Sequence, residues 1–282
     1  MPLWSKRTGI MLAYPMDEKR FERWGSFAIA QPKLDGERCR AIIKDNKVML
    51  LSSEENVIYS MPHIVEELES SQLGTIELDG ELYSPELPFE EIHSRIGRTV
   101  NLHPNYQEIS YYIFDIVREE TLQKTRTLEL NNLANYFLSN FKDHIKFINS
   151  DIVTSIDGVM RFMESYIKSG FEGVVLRHPN FPYLRRRSTG MMKFKPTKSD
   201  TYSVIGYQEE VDQYDSPKDT LGALLCTKDG VNFSVGSGLT KDQRVELWKT
   251  KEQLSGKQVV VKYQHTMEGT GRPRFPVFVE LL

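Results

Sequence analysis

The spacing of apolar and polar positions changes several times along the chain. Phe27–Pro32 and Cys39–Leu51 read as strands, and Asp45-Asn46 folds the second into a pair of arms. Pro62–Glu69 reads as a helix. Gly74–Tyr83 reads as strand–turn–strand, with the turn expected at Gly80, and Ser110–Val117 as a strongly apolar strand. Leu122–Leu138 and Asp157–Lys168 read as helices. In the second, Val159, Phe162, Met163, Tyr166 and Ile167 recur at helical spacing, and Gly170 is the stop signal. Phe171–Arg177 follows as a β-branched strand.

After Pro196 the texture changes. Short strands recur at Tyr202–Tyr207, Gly222–Thr227, Asn232–Val235, Gln258–Tyr263 and Val277–Leu282, and one helix, Lys241–Lys249, interrupts them. Five strands and a helix suit a small closed barrel such as an OB-fold, with an SH3-like barrel as the competitor. The expected class is α+β: antiparallel sheets and helices over residues 1–198, then a β-barrel over 199–282.

Composition narrows the class. With 39 % apolar and 11 % aromatic residues in 282, the chain can build a sizeable core, which excludes wholesale disorder. No apolar run approaches the roughly 20 residues of a membrane span. MPLWSKRTGI lacks the apolar stretch of a secretory signal. Cys39 and Cys226 alone make neither a four-cysteine zinc site nor a disulfide framework. The expectation is a cytoplasmic protein without membrane association.

The net charge is −3, but it is unevenly placed. Residues 51–100 hold eleven acids and two bases, whereas residues 173–199 hold seven bases and no acid. A basic run is by default a solvated face. Here the bases interleave with Phe181, Tyr183 and Phe194, which fits a polyanion surface better.

Five short segments carry the candidate chemistry. Lys33-Leu34-Asp35-Gly36-Glu37-Arg38 places a lysine behind a strand and at a turn. A lysine amine attacks phosphorus only as the free base, which desolvation and neighbouring positive charge favour. Glu77-Leu78-Asp79-Gly80-Glu81-Leu82 sets acids at alternate positions, so they share a strand face or present a carboxylate at a turn. In Tyr111–Val117, Phe114 is either core or a stacking ring. Glu172, opening an apolar strand, calls for a metal ion or a basic partner. Lys193 and Lys195 alternate, so on a strand they share one face, suited to gripping phosphate.

In order and spacing these segments resemble the motif set of the covalent nucleotidyltransferase superfamily: ATP-dependent DNA ligases, RNA ligases and mRNA capping enzymes. KLDGER is similar to motif I, ELDGEL to motif III, YYIFDIV to IIIa, FEGVVLR to IV and MMKFKP to V. Within that superfamily the chain most resembles a minimal ATP-dependent DNA ligase. Met11-Leu12-Ala13, Leu221–Leu224, Gly236–Thr240 and Gly271–Pro276 support this. The resemblance implies an adenylyltransferase domain followed by an OB-fold, with a mobile joint near Pro196–Ser199.

The implied activity is sealing of 5′-phosphate/3′-hydroxyl nicks in duplex DNA. ATP is the substrate, retained as AMP on a lysine, and Mg2+ or Mn2+ assists. The implied protein is a monomer with no protein partner evident. By resemblance, Lys33 is the nucleophile. Gln31 lies near adenine, and Arg38 near ribose and phosphate. Glu81 lies near ribose and metal, Phe114 on the purine, and Glu172 on the metal. Arg177, Lys193 and Lys195 surround the α-phosphate, and Asp35 acts late, around the nick.

Two departures stand out. Where many ligases carry a Ser-Arg pair, this chain reads Ser52-Ser53, which shifts the expected 5′-phosphate contact to Arg40 or to Arg185, Arg186 and Arg187. A motif VI Arg-x-Asp-Lys is absent from the final Phe278–Leu282, so either Arg272, Arg274 or another basic residue is expected to take its place, or the first step is slow. Alternatives are an RNA ligase, a capping guanylyltransferase, or a nucleic-acid-binding protein with an inactive transferase domain. The intact Lys33, Glu172 and Lys195 argue against the last.

Overall fold

The computed structural model describes residues 9–25, 27–140, 143–195, 197–212, 214–263, 266–267, 269–274 and 276–282. The MPLWSKRT start, Pro196 of the fifth motif and Phe275 of the tail motif lie outside them. The chain divides into two compact units, Leu3–Lys195 and Pro196–Leu282 apart from the first two residues. Among the described residues no helix is long and apolar enough to cross a membrane.

In chain order the first unit contains β1 (Leu12–Pro15), α1 (Glu18–Arg23), β2 (Ala28–Lys33), β3 (Glu37–Lys44), β4 (Lys47–Ser52), α2 (Pro62–Ser70) and β5 (Ile76–Tyr83). Then come α3 (Phe89–Ile96), β6 (Ser110–Ile116), α4 (Gln123–Asn140), β7 (Ile145–Phe147), β8 (Asp151–Val153), α5 (Ile156–Lys168), β9 (Gly173–Arg177) and β10 (Arg187–Phe194). They form two five-stranded sheets, ordered β1-β10-β9-β2-β8 and β4-β3-β5-β6-β7. Most neighbours are antiparallel; β1–β10 and β6–β7 are parallel.

Each sheet buries one face against helices. The second packs Leu78, Leu82, Ile113 and Tyr111 against Ile64 and Leu68 of α2, Ile92 of α3, and Leu130 and Phe137 of α4. The first packs Ala28, Ala30, Val174 and Leu176 against Phe21 of α1 and Val159 and Met163 of α5. The α5 helix starts where Ser155 Oγ accepts from Gly158 N at 3.1 Å, and it stops at Gly170, whose φ of +87° suits a residue without Cβ. Asp45 and Asn46, with φ of 50° and 62°, make the tight β3–β4 turn.

The expected turn at Gly80 is corrected: β5 runs unbroken through it, with a register shift between Asp79 and Gly80. Gly80 serves close approach, because a Cβ there would meet Tyr111 Cε2 and the Tyr112 carbonyl, both at 2.5 Å. The short β1, β7 and β8 and the helices α1 and α3 carry too few periodic positions to be read from sequence.

The second unit comprises β11 (Lys198–Val211), β12 (Pro217–Lys228), β13 (Val231–Val235), α6 (Lys241–Lys249), β14 (Gln258–Tyr263) and β15 (Val277–Leu281). Its sheet is ordered β13-β12-β11-β14-β15 around Val204, Leu224, Leu254, Val259 and Val261. The expected closed barrel is corrected in one respect. Among the described residues no ladder joins β13 to β15; the approach is a backbone bond from Phe278 N to Ser237 O at 2.8 Å. A reciprocal capping box between Thr240 and Gln243 starts α6.

Candidate active site

The two sheets of the first unit face each other across a cleft, and the motif segments meet there. Lys33 ends β2, and its backbone carbonyl accepts from Glu172 N at 2.8 Å. Glu172 thus enters β9 beside the lysine. Gly173 makes this possible, since a Cβ there would meet the Phe194 carbonyl at 2.2 Å. Its φ of +158° adds to the preference for glycine. The close pass puts one carboxylate between two ammoniums: Glu172 Oε2 accepts from Lys33 Nζ, and Oε1 accepts from Lys195 Nζ at 2.7 Å.

The Glu172 side chain is 4 % exposed. Burial alone would raise its carboxyl group, but the Lys33 and Lys195 ammoniums outweigh this and hold it below the ordinary carboxylate range. Lys195 lies one residue beyond the end of β10, with Lys193 inside it. Loss of hydration in the cleft, followed by the charges of Lys33 and Lys195, lowers the Lys193 ammonium.

The opposite wall comes from β3, β5 and β6. Arg38 forms a forked pair with Asp79, Nε to Oδ1 at 2.6 Å and Nη2 to Oδ2 at 2.5 Å. Burial disfavours the Arg38 charge, yet Asp79 more than restores it. Tyr183 OH also donates to Asp79 Oδ2, at 2.6 Å. Glu81 is pushed up to about 7, first by burial, with Glu172 and Asp79 adding to the effect against Arg38 and Lys33.

Phe114, half-buried, has the Arg38 guanidinium 4.6 Å and that of Arg177 5.3 Å from its ring centre. Its neighbour Asp115 is fully buried. It accepts from Arg126 Nε at 2.8 Å and Arg177 Nη1 at 2.7 Å. Gln31 locks the two sheets together by donating to Phe114 O and Ser150 Oγ, both at 3.0 Å, and accepting from Arg177 Nε at 2.7 Å.

Of the sequence candidates, Lys33, Arg38, Glu81, Phe114, Glu172, Lys193 and Lys195 gather around the cleft. Gln31 and Arg177, 1 % and 2 % exposed, lie in the floor, with the Gln31 amide and Arg177 Nε and Nη1 bonded to protein partners. Asp35 is half-buried at the turn after β2.

Arg40 and Arg185, expected as DNA contacts, both have acidic partners within the protein. Arg40 is buried and pairs with Glu55 and, at 2.5 Å, with Glu77. Arg185 is held by Glu77 and Glu119, at 2.7 and 2.5 Å, and by the Gly9 carbonyl. Arg186 and Arg187 are exposed.

Sequence reasoning left Asp79, Asp115, Arg126 and Tyr183 out of the site. For Asp115 a signal existed, a lone carboxylate in an apolar strand. Tyr183, read from the sequence as part of a polyanion surface, is fully buried.

Among the described residues no three His, Cys, Asp or Glu side chains converge as a metal cage. Glu81 and Glu172 are close enough for Glu172 to raise the Glu81 carboxyl. Magnesium needs only one or two carboxylates when substrate phosphates complete its shell, so the donor set fits Mg2+ or Mn2+ in that mode.

The first unit is a nucleotidyltransferase domain, with Lys33 bridged through Glu172 to Lys195. Residues 10–195 match the ATP dependent DNA ligase domain, and residues 216–281 match the DNA ligase OB-like domain. The chain belongs to the ATP-dependent DNA ligase family.

It is 28 % identical over 201 residues to a DNA ligase of Haemophilus influenzae, covering 71 % of this chain and 70 % of that one. It is also 28 % identical over 266 residues to a DNA ligase of African swine fever virus, covering 87 % of this chain and 61 % of the viral one. The solved structure called Pmar-Lig_PreS3 superposes with a TM-score of 0.82 at 25 % identity, covering 97 % of this chain and 67 % of its own. Chlorella virus DNA ligase–adenylate superposes with a TM-score of 0.55 at 25 % identity, covering 98 % of each chain. These matches favour a DNA ligase over the RNA-joining and capping alternatives.

Proposed function

We propose that this chain seals 5′-phosphate/3′-hydroxyl nicks in duplex DNA through a covalent lysyl-AMP intermediate on Lys33. The observation that carries the reading is the Lys33–Glu172–Lys195 bridge facing Arg38, Glu81 and Phe114 across the cleft.

In the first step Lys33 Nζ, having lost its proton, bonds to the α-phosphorus of ATP as the bond to pyrophosphate breaks. Glu172 Oε2, already accepting from that nitrogen, is placed to take the proton. Lys195 and Lys193 supply positive charge for the transferring phosphoryl group, and the Arg38–Asp79 fork holds a guanidinium over Phe114. Glu81 and Glu172 would hold Mg2+ or Mn2+, which supplies charge neutralisation at the phosphates. The 5′-phosphate of the nick next takes AMP from Lys33, breaking the nitrogen–phosphorus bond. The 3′-hydroxyl then attacks that phosphate and releases AMP. In this reading the chain acts as a cytoplasmic monomer.

The test is incubation with ATP labelled at the α-phosphate, followed by sealing assays on nicked DNA and nicked RNA. Label retained on the protein and sealing of the DNA nick are expected. Labelling by GTP instead, or sealing of RNA alone, would overturn the reading.

A further inference from the structure

Beyond the cleft, the first sheet ends at the edge strand β1, and Tyr14 sits there. Two guanidinium groups lie on its ring. Arg20, from α1, is 4.7 Å from the ring centre, and Arg187, opening β10, is 5.6 Å away. Both lie within the range at which a cation is attracted to an aromatic face. Arg187 Nη1 also donates to the Ala13 carbonyl at 2.5 Å, which fixes it to the same strand. Among the described residues no carboxylate pairs with either guanidinium, whereas Arg38, Arg40, Arg95, Arg126, Arg177 and Arg185 all have acidic partners.

Two guanidinium groups on one ring with no carboxylate paired to them concentrate positive charge there, and a bound anion would offset it. The pair also adjoins the cleft. Tyr14 and Pro15 pair with Met192 and Lys193, and the Arg187 charge bears on Lys193. Positive groups therefore run from Lys33 and Lys195 through Lys193 to Arg187 and Arg20.

Distance selects the kind of anion. In the order β1-β10-β9-β2, Tyr14 lies three strands from Lys33. At roughly 4.8 Å per strand that is about 14 Å. A triphosphate with its α-phosphorus at Lys33 does not extend so far, whereas the phosphates of a nucleic-acid strand continue along the row.

We infer that Arg20 and Arg187, stacked on Tyr14, form a clamp for a backbone phosphate of the DNA strand that leaves the reacting nick along the edge of β1. The inference rests on the nick-sealing reading for its substrate. Tyr14 is a positioning residue here, giving both arginines a common platform.

The experiment measures binding of a nicked duplex at several salt concentrations for the wild type, Arg20→Gln, Arg187→Gln, the double Arg20→Gln/Arg187→Gln variant, Tyr14→Leu and Tyr14→Phe. Formation of lysyl-AMP from ATP is followed in parallel. Loss of this one phosphate contact in the double variant should lower the log–log salt slope by about 0.9, so that affinity falls about 3.5-fold less between 50 and 200 mM salt, with each single change giving part of that drop. Tyr14→Leu should shift the slope in the same direction, and Tyr14→Phe, which keeps the ring, should restore it. Adenylation by the arginine variants shows that they are folded and separates the strand from the nucleotide as the source of phosphate. An unchanged slope in the double variant overturns the clamp. So does a raised KM for ATP with unchanged duplex binding, which would assign the pair to the nucleotide. A wild-type chain that binds nicked duplex through these arginines yet never becomes adenylated would sink the ligase reading and leave the clamp standing.

Discussion

Tyr183 and Asp79, 104 positions apart in sequence, share a 2.6 Å hydrogen bond, and neither side chain reaches solvent. The same hydroxyl accepts from Met11 N at 3.0 Å, while the same carboxylate grips Arg38. One phenol thus ties the start of the described chain to the guanidinium over Phe114. Tyr183→Phe keeps the ring and removes both bonds, leaving a buried carboxylate one donor short. Stability should fall by about 1–3 kcal/mol, read by urea unfolding. If the ΔG of unfolding is unchanged, the hydroxyl contributes nothing to holding Arg38.

Lys33→Ala should abolish covalent AMP labelling, and Lys33→Arg should do the same, since a guanidinium keeps the charge but is no amine nucleophile at neutral pH. Intact mass after incubation with ATP is the readout. Acid-labile AMP still attached to either variant would remove Lys33 from its assigned role.

Glu172→Gln keeps the shape of the bridge and removes its charge. Lys33 and Lys195 would then face each other without the carboxylate between them. Lysyl-AMP formation should slow by about two to three orders of magnitude. Gly173→Ala should reproduce part of this loss by forcing β9 off the Phe194 carbonyl. Single-turnover labelling across a magnesium titration checks both, and wild-type rates in Glu172→Gln would refute the bridge.

Glu77 gives a pH-dependent test away from the cleft. Burial would raise its carboxyl group, but hydrogen bonds from Arg185 and Arg40 outweigh that and lower it. A folded-state value below the unfolded one stabilises the protein above the ordinary carboxyl range, near about 4.3. That stability is lost as pH falls through the folded value. Glu77→Gln should therefore cost about 2 kcal/mol at pH 7, and the deficit should shrink as pH drops below about 4. Urea unfolding from pH 3 to 7 measures this, and a constant deficit across the range contradicts it.

Much of the fold was legible from local signals. Gly170 ends α5, Asp45-Asn46 makes the β3–β4 turn, and the tail resolves into its five strands and a helix, each from a period or a turn chemistry acting over a few residues. Glu172 was legible as a charge opening an apolar strand, which demands a partner, and Lys33 and Lys195 through the motif resemblance. The sequence could not say which partner. That Glu172 bridges two lysines follows from Gly173 passing against Phe194, and strand adjacency is a long-range matter of pairing.

Gly80 shows the same limit from the other side. Its neighbours in sequence suggest a turn, but its neighbours in space, Tyr111 and Tyr112, need the room a side chain would fill. Arg40 and Arg185 look like free cations in a string of residues. Tertiary packing sets Glu55, Glu77 and Glu119 against them, whereas it leaves Arg20 and Arg187 on Tyr14 with no acid among the described residues. The sequence determined which charges and periods exist. Only the packed sheets decided which charges are neutralised inside the protein and which remain for a ligand, because Coulomb energy depends on separation in space and on burial, and sequence order records neither.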